Sequence, residues 1–292
     1  MTDTLKAVFW MGGSIVSFTT MAVAGRAVSL DLDTFEIMLY RSVIGALILV
    51  IVLSATGRMG QVNTRNFGLH VVRNISHFAG QNCWFYAVAT IPLAQVFALE
   101  FTSPLWVIVL SPLVLGERLT PSRAVAAGVG FLGILIVTRP SAETLDPGIF
   151  AAAGAAVGFA GSAVFTRRLT RTATTPCILF WLTTMQAVFG LICAGIDGDI
   201  ALPAAESWPL VSLIAVAGLV AHFCLTTALG LAPAPVVMPI DFTRLPLVAL
   251  VGMLVYGEVL DPYVFLGAAI IFGANYFNIL RETRTSPVSM QK

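Results

Sequence analysis

Displaced against itself by 141 positions, the sequence aligns Pro92 with Pro233, Phe101-Thr102 with Phe242-Thr243, Gly116-Glu117 with Gly257-Glu258 and Pro121 with Pro262, without a gap. The same displacement sets Arg26 on Arg167, Tyr40 on Trp181 and Gln81 on His222. Similarity at one long, fixed period is the mark of a duplicated structural unit. Apolar runs bounded by charge, Gly or Pro place ten candidate helices at 7–29, 33–54, 67–88, 92–115, 121–138, 147–167, 176–196, 209–230, 233–256 and 262–280. Each copy therefore holds five, and because five is odd the two copies must cross a bilayer in opposite senses. The expected architecture is an all-α membrane protein of ten transmembrane helices, with one repeat over 1–144 and an inverted second repeat over 145–292.

Composition agrees. Of 292 residues, 58% are hydrophobic and 11% charged, against about a quarter charged in soluble domains. A crossing helix needs roughly 20 apolar residues, so ten crossings leave only short loops and no room for a soluble catalytic domain. The formal net charge of +1 gives no reason to expect a nucleic-acid partner. Its distribution says more. With both termini in the cytoplasm, twelve of the sixteen cations lie on the inside (Lys6, Arg58, Arg65, Arg73, Arg118, Arg123, Arg167, Arg168, Arg171, Arg281, Arg284, Lys292), and Arg139 stands alone outside among acids. Short cytoplasmic loops carry the excess of Lys and Arg, so the expected location is a bacterial inner membrane with N- and C-termini cytoplasmic. Ala22-Val23-Ala24 has the look of a signal cleavage site, but Gly12-Gly13-Ser14, Ser17 and Thr19-Thr20 make a poor signal core. Cys83, Cys177, Cys193 and Cys224 show neither a CxxC pair nor metal-ligand spacing and read as packing residues, so no metal and no cofactor is expected.

The other three cations, Arg26, Arg41 and Arg244, fall within spans, as do Glu36, Glu100 and Asp241. A charge at mid-membrane costs roughly 2.5 to 3.5 kcal/mol on insertion scales, so such groups face a wet cavity or one another. Arg26 and Glu36 lie near the outer boundary and read as reaching the interface. Glu100 and Asp241 occupy equivalent repeat positions about eight residues into their helices, one entering from each side, so both are expected near mid-depth. Arg244 follows Asp241 by three and shares its face; Arg41 is expected to meet Glu100. Two readings stay open: structural ion pairs, or a substrate or proton role for at least one acid. On the third helix Arg73, His77, Gln81 and Trp84 step by four, four and three along one face. His222 and Thr226 match this on the eighth, and Ser14, Ser17 and Thr20 share a side of the first. Together they are expected to form an amphiphilic vestibule with aromatic walls from Trp84, Tyr40, Trp181 and Trp10.

Pro92, Pro104 and Pro112 interrupt the fourth span, and Pro233, Pro235, Pro239 and Pro246 the ninth. Interrupted helices at matching places in two halves point to a transporter's binding region, so Pro104, Pro239 and Pro246 are expected to gate. Gly116-Glu117 and Gly257-Glu258 are expected to end helices as turns before Pro121 and Pro262. Small residues of the fifth (Gly128, Gly130, Gly133) and tenth helices (Gly267, Gly273) read as scaffold or as a homodimer face.

The stretch from Tyr86-Ala-Val-Ala-Thr-Ile-Pro-Leu-Ala-Gln-Val-Phe through Pro104-Leu-Trp and Leu115-Gly-Glu-Arg-Leu-Thr to Gly133-Ile-Leu-Ile-Val resembles the EamA unit of the drug/metabolite transporter superfamily. The second copy, from Ala228 through Leu231-Ala-Pro-Ala-Pro to Tyr256-Gly-Glu and Gly267, resembles it again. The resemblance implies inverted five-helix repeats and transport of a small metabolite, very often amino-acid export. No HExxH, paired-acid protease motif or Ser/His arrangement suggests an enzyme. A zwitterion would offer a carboxylate to Arg244 or Arg41 and an ammonium to Glu100 or Asp241. The leading expectation is therefore an amino-acid exporter working by alternating access, with Glu100, Asp241, Arg244, Arg41, His77, Gln81, Trp84 and His222 at the substrate. The alternatives are an uptake carrier for a vitamin- or nucleoside-like metabolite (riboflavin or S-adenosylmethionine type) and multidrug efflux. An aromatic cavity with few charges would favour the flat heteroaromatic cargo; acid and base within amino-acid reach would favour the zwitterion.

Overall fold

The structure, a computed structural model, describes residues 3–115, 120–139, 146–169, 171–196, 198–231, 240–241 and 243–285. Eleven α-helices lie among them: α1 (Asp3–Val28), α2 (Thr34–Ala55), α3 (Phe67–Thr90), α4 (Leu93–Glu100), α5 (Ser103–Leu115), α6 (Pro121–Thr138), α7 (Pro147–Leu169), α8 (Thr175–Ala194), α9 (Ser207–Leu231), α10 (Arg244–Tyr256) and α11 (Pro262–Thr285). The fourth span is divided into α4 and α5, and α10 forms the latter part of the ninth. Among the described residues, six segments are long and apolar enough to cross a membrane: α1, α2, α7, α8, most of α9 and the run Leu93–Leu110. The chain is an all-α, multi-pass membrane protein. α3 is not among the six, because it buries Arg73, Asn74, His77, Gln81 and Asn82 along one face.

The duplication is visible in how helices begin. Asp33 caps α2 in a reciprocal box with Glu36, and its repeat mate Thr174 caps α8 through the Cys177 N–H. Thr120 caps α6 through the Arg123 N–H, and its mate Asp261 accepts from the Tyr263 N–H at 2.9 Å ahead of α11. Each such cap satisfies a donor that the helix cannot satisfy itself, worth about 1 kcal/mol. Pro121, Pro176 and Pro262 sit in the first turns, where the missing N–H is not needed.

The interruption in the fourth span recurs in the ninth. α5 and α10 begin and end at equivalent repeat positions. Just before them, Thr102 Oγ1 donates to the Leu99 carbonyl at 2.6 Å and Thr243 Oγ1 to the Ile240 carbonyl at 2.7 Å, again repeat mates. Each of these carbonyls also accepts the backbone N–H of the same threonine, so hydroxyl and amide share one acceptor at the break.

Packing follows the same two-fold relation. α1 runs along α9 and α3 along α7, an exchange of equivalent helices, while α2 packs on its own counterpart α8 and α6 on α11. The main partner of each of these helices is therefore in the other copy. The closest approaches need glycine. A Cβ on Gly158 would lie 2.6 Å from the Gly80 Cα, and one on Gly267 would lie 2.7 Å from the Gly133 carbonyl oxygen. Gly133 and Gly267 are thus used between α6 and α11 of one chain. Aromatic tips tie loops at both ends: Tyr40 Oη donates to the Ala201 carbonyl at 2.8 Å, and its mate Trp181 donates Nε1–H to the Asn63 carbonyl at 2.8 Å.

Gly158→Val places side-chain carbon against backbone that has nowhere to move, so its thermal unfolding in detergent is expected to shift down by about 2–12 °C, as 1–3 kcal/mol of overpacking implies. Gly154→Ala, whose Cβ meets only Cys83 Sγ at an ordinary 3.6 Å, is expected to unfold at an unchanged or slightly higher temperature through its gain in helix propensity. Equal behaviour of the two would contradict the close α3–α7 contact.

Candidate functional site

Glu100 is the last residue of α4, Asp241 is its repeat mate at the matching break, and Arg244 opens α10. Arg244 Nη2 donates to Glu100 Oε1 at 3.1 Å and to Asp241 Oδ2 at 3.2 Å. Trp84 Nε1 donates to the other Glu100 oxygen at 2.7 Å. The guanidinium lies between the rings of Phe97, Phe18 and Phe101, 4.8, 4.9 and 5.1 Å from their centroids. Cation–π contacts of this kind gain strength when desolvated. Two carboxylates share one guanidinium, so with both acids ionised the triad carries a surplus negative charge. Glu100 has a donor on each oxygen, whereas Asp241 Oδ1 is buried with no hydrogen-bond partner.

The expected Asp241–Arg244 pair is present; the expected Arg41–Glu100 pair is not. Arg41 points Nη1 at Met21 Sδ, 3.8 Å away, and lies over the Phe85 ring at 5.7 Å. Both Glu100 oxygens are already held, by Trp84 and Arg244. Among the described residues no carboxylate lies within ion-pair distance of Arg41.

Arg41 instead lines a central cavity of about 40 Å³ together with Ser42, His77, Gln81, Thr183, Gln186 and His222. The lining falls into repeat mates: Arg41 with Leu182, Ser42 with Thr183, Gly45 with Gln186, His77 with Gly218, and Gln81 with His222. The cavity therefore sits on the seam where the two copies exchange. His77 and His222 face each other at 6.3 Å between ring centroids, and Ser162 Oγ lies 3.5 Å from His77 Nδ1. Among the described residues no acid lines this space. On one side, Phe18 meets the His222 ring edge-on at 5.4 Å and the Arg244 guanidinium at 4.9 Å, so one ring touches both the cavity wall and the ion triad. At 40 Å³ the cavity has room for water only, well below the roughly 300–1,000 Å³ of small-molecule pockets.

The arginine-poor end of the bundle is closed by a second ionic cluster. Arg26, near the end of α1, donates to Glu258 Oε1 and to the carbonyls of Val88 and Ile91. Glu258 accepts from the Leu93 N–H through both oxygens, at 3.0 and 3.2 Å, capping α4. Tyr256 stacks against Arg26 at 4.8 Å and donates Oη–H to the Val23 carbonyl at 3.0 Å. Gly257, at φ +66°, ends α10 in the left-handed conformation that glycine permits, as expected, and delivers Glu258 to this cluster.

Other expected positions divide. Trp84 is buried against Phe85 and Phe97 behind Glu100 and does not line the cavity. Tyr40, Trp181 and Trp10 are likewise absent from the lining, since they pack with Trp208, Phe67 and Phe223 respectively. Arg73 reaches sideways to Thr166 Oγ1 on α7 at 3.0 Å. Pro104 and Pro246 stand in the first turns of α5 and α10, just after the breaks; Pro239, Gly116 and Glu117 lie outside the described residues. Ser42, Thr183, Gln186 and Phe18 were not singled out by the sequence, although three polar residues inside apolar spans, two of them (Ser42 and Thr183) repeat mates of each other, were the available signal.

These features can be set against known proteins. Over 82% of its length the chain is 31% identical to a riboflavin transporter of Brucella anthropi, covering 86% of that protein. It is 24% identical to an S-adenosylmethionine uptake transporter of Rickettsia bellii, across 97% of this chain and 98% of that one. It is 28% identical to a pseudopaline exporter of Pseudomonas aeruginosa, across 87% and 89%. One crystal structure shares the fold with a TM-score of 0.64 at 20% identity, covering 96% of this chain and 99% of that chain. The model of the EamA-like transporter family matches twice, over residues 5–139 and 146–280. Each copy of the repeat matches that model once, and the chain belongs to the EamA-like transporter family.

Proposed function

We propose that this transporter carries a flat, hydrogen-bonding heteroaromatic metabolite of the riboflavin type into the cell, with the arginine-rich end of the bundle in the cytoplasm. The observation that carries the reading is the composition of the central cavity. Its polar lining is Ser42, His77, Gln81, Thr183, Gln186 and His222 with a single cation, Arg41, and no acid. Hydroxyl, amide and imidazole groups match the alternating donors and acceptors along the edge of a fused heterocycle, and Arg41 suits an electron-rich carbonyl or an anionic group. An amino acid needs acid and base together, whereas here both carboxylates are already held by Arg244. The relatives' names support the same choice of cargo: those at higher identity are riboflavin transporters, and the S-adenosylmethionine carriers are uptake systems. The cavity enlarges around the cargo by one repeat moving against the other, the breaks beside Pro104 and Pro246 serving as hinges.

Counterflow in proteoliposomes across riboflavin, adenosyl compounds and amino acids tests the cargo. Riboflavin is expected to exchange and free amino acids are not; the reverse result removes the proposal. Arg41→Gln is expected to raise the half-saturating riboflavin concentration about tenfold, as loss of a charge-assisted hydrogen bond worth roughly 1.5–3 kcal/mol implies, and unchanged saturation would detach Arg41 from the cargo.

The triad gives a second, separable expectation. Asp241→Asn keeps an oxygen for Arg244 and turns its amide toward the unpartnered side, so the variant is expected to fold normally while riboflavin flux falls. Glu100→Gln must set an amide N–H against either Trp84 or Arg244, and is expected to lower stability by about 1–3 kcal/mol in thermal unfolding. Wild-type flux in Asp241→Asn would exclude this acid from the transport cycle.

A further inference from the structure

At the arginine-rich end the seam between α3 and α7 opens into a groove of about 470 Å³, which shares no lining residue with the central cavity. Its size is that of a site for a small organic group. Two chemistries line it. Arg168 and Arg171 supply the charge, and among the described residues neither is ion-paired with a carboxylate. Leu69, Val72 and Phe165 supply an apolar wall. The two sides are braced, since Asn66 Nδ2, ahead of α3, donates to Thr172 Oγ1, beyond α7, at 2.8 Å.

The apolar wall continues out of the groove. Val72, Ile75, Ala79 and Tyr86 step along one exposed side of α3, opposite the buried Arg73, His77 and Gln81. In a bilayer that side meets hydrocarbon. The two arginines therefore stand where an acyl chain lying along α3 would reach its headgroup. A soluble anion would use the cations and leave the wall idle, while a zwitterionic lipid would bring its own cation against them. Topology alone asks for arginines at this end. It asks for neither a groove nor an apolar wall beside them.

We propose that this groove binds an anionic phospholipid of the adjoining leaflet, its phosphate between Arg168 and Arg171 and one acyl chain along Leu69, Val72 and Phe165. Guanidinium forks match phosphate oxygens two at a time, and basic pockets between membrane helices suit such headgroups. The lipid touches α3 of the first copy and α7 of the second, so it strengthens the contact between the copies. The proposal rests on no particular cargo.

The experiment titrates delipidated protein in detergent with phosphatidylglycerol, with phosphatidylcholine of the same acyl chains and with inorganic phosphate. Native mass spectrometry reads retained lipid, and thermal unfolding reads stability. Phosphatidylglycerol is expected to be retained and to raise the unfolding temperature by about 5 °C at roughly a hundredfold excess over its dissociation constant. Phosphatidylcholine and inorganic phosphate are expected to do neither. Arg168→Gln combined with Arg171→Gln is expected to weaken retention about thirtyfold, from the share that each cation adds to lipid attraction. Lys6→Gln combined with Arg58→Gln removes the same charge from the same end outside the groove and is expected to leave retention intact. Gly68→Glu keeps both arginines, places its Cβ in open space and sets an acid in the first turn of α3, where it suits the helix. It is expected to fold and to exclude the lipid, so the test stands even if the double arginine variant fails to accumulate. Equal retention of the two lipids, unchanged retention in Gly68→Glu, or equal loss in the Lys6 and Arg58 control overturns the site. Stabilisation by inorganic phosphate without lipid retention makes it a soluble-anion site and overturns the lipid. Failure of riboflavin counterflow leaves these readouts untouched.

Discussion

In hydrocarbon a polar group has no water to fall back on, so each one must be answered from within the protein. Arg244 shows how that constraint acts here and where it is left unmet, since its Nε and Asp241 Oδ1 are buried without a hydrogen-bond partner among the described residues. Its guanidinium takes two carboxylates, three aromatic faces and a position at the break of a helix, and Trp84 holds the far oxygen of Glu100. Without that set the charges would not be tolerated at the seam, and without the breaks in the fourth and ninth spans the acids would have no freed backbone beside them. The same logic closes the arginine-poor end, where Arg26 answers two carbonyls and a carboxylate that in turn caps α4.

Symmetry builds the scaffold and departures from symmetry make it specific. Helix caps, the two broken spans and the pairing of helices across the copies all obey the two-fold relation. The acids Glu100 and Asp241 obey it as well, but the cations of the centre do not. Arg41 has Leu182 as its repeat mate in the cavity wall, and Arg244 has Ser103 as its mate. A symmetric frame can open at either end with comparable ease, while an asymmetric lining can still recognise a cargo that has no symmetry of its own. The small cavity and the closed arginine-poor end belong together, since a seam drawn shut by α1 and the α10–α11 turn leaves little space between His77 and His222.

How much of this was legible beforehand depended on whether a feature was periodic or coincident. The Asp241–Arg244 pair was readable because three residues along a helix bring side chains together, and the polar face of α3 because its spacing repeats with the turn. Arg41 was misplaced because its neighbours come from α1 and α3, and sequence distance says nothing about which of two nearby arginines reaches an acid first. Trp84 was read as wall when it is a support, since its indole N–H was free to serve either role until Glu100 was seen beside it. Glu258 was read as the end of a turn. That reading was correct for Gly257 but omitted Arg26, 232 positions away, which together with the Leu93 N–H gives the carboxylate its place.

The sequence by itself determined the membrane solvent, the ten crossings, the duplication and the opposed sense of its copies, because apolar length, charge bias and a fixed period are properties of the chain read in order. Only the tertiary structure decided which charge answers which, where the cavity lies and what shuts one end of it. Those depend on side chains from helices far apart in sequence arriving within about three ångströms of each other, and at that range the difference between an ion pair and an unanswered cation is a matter of packing that linear order does not contain.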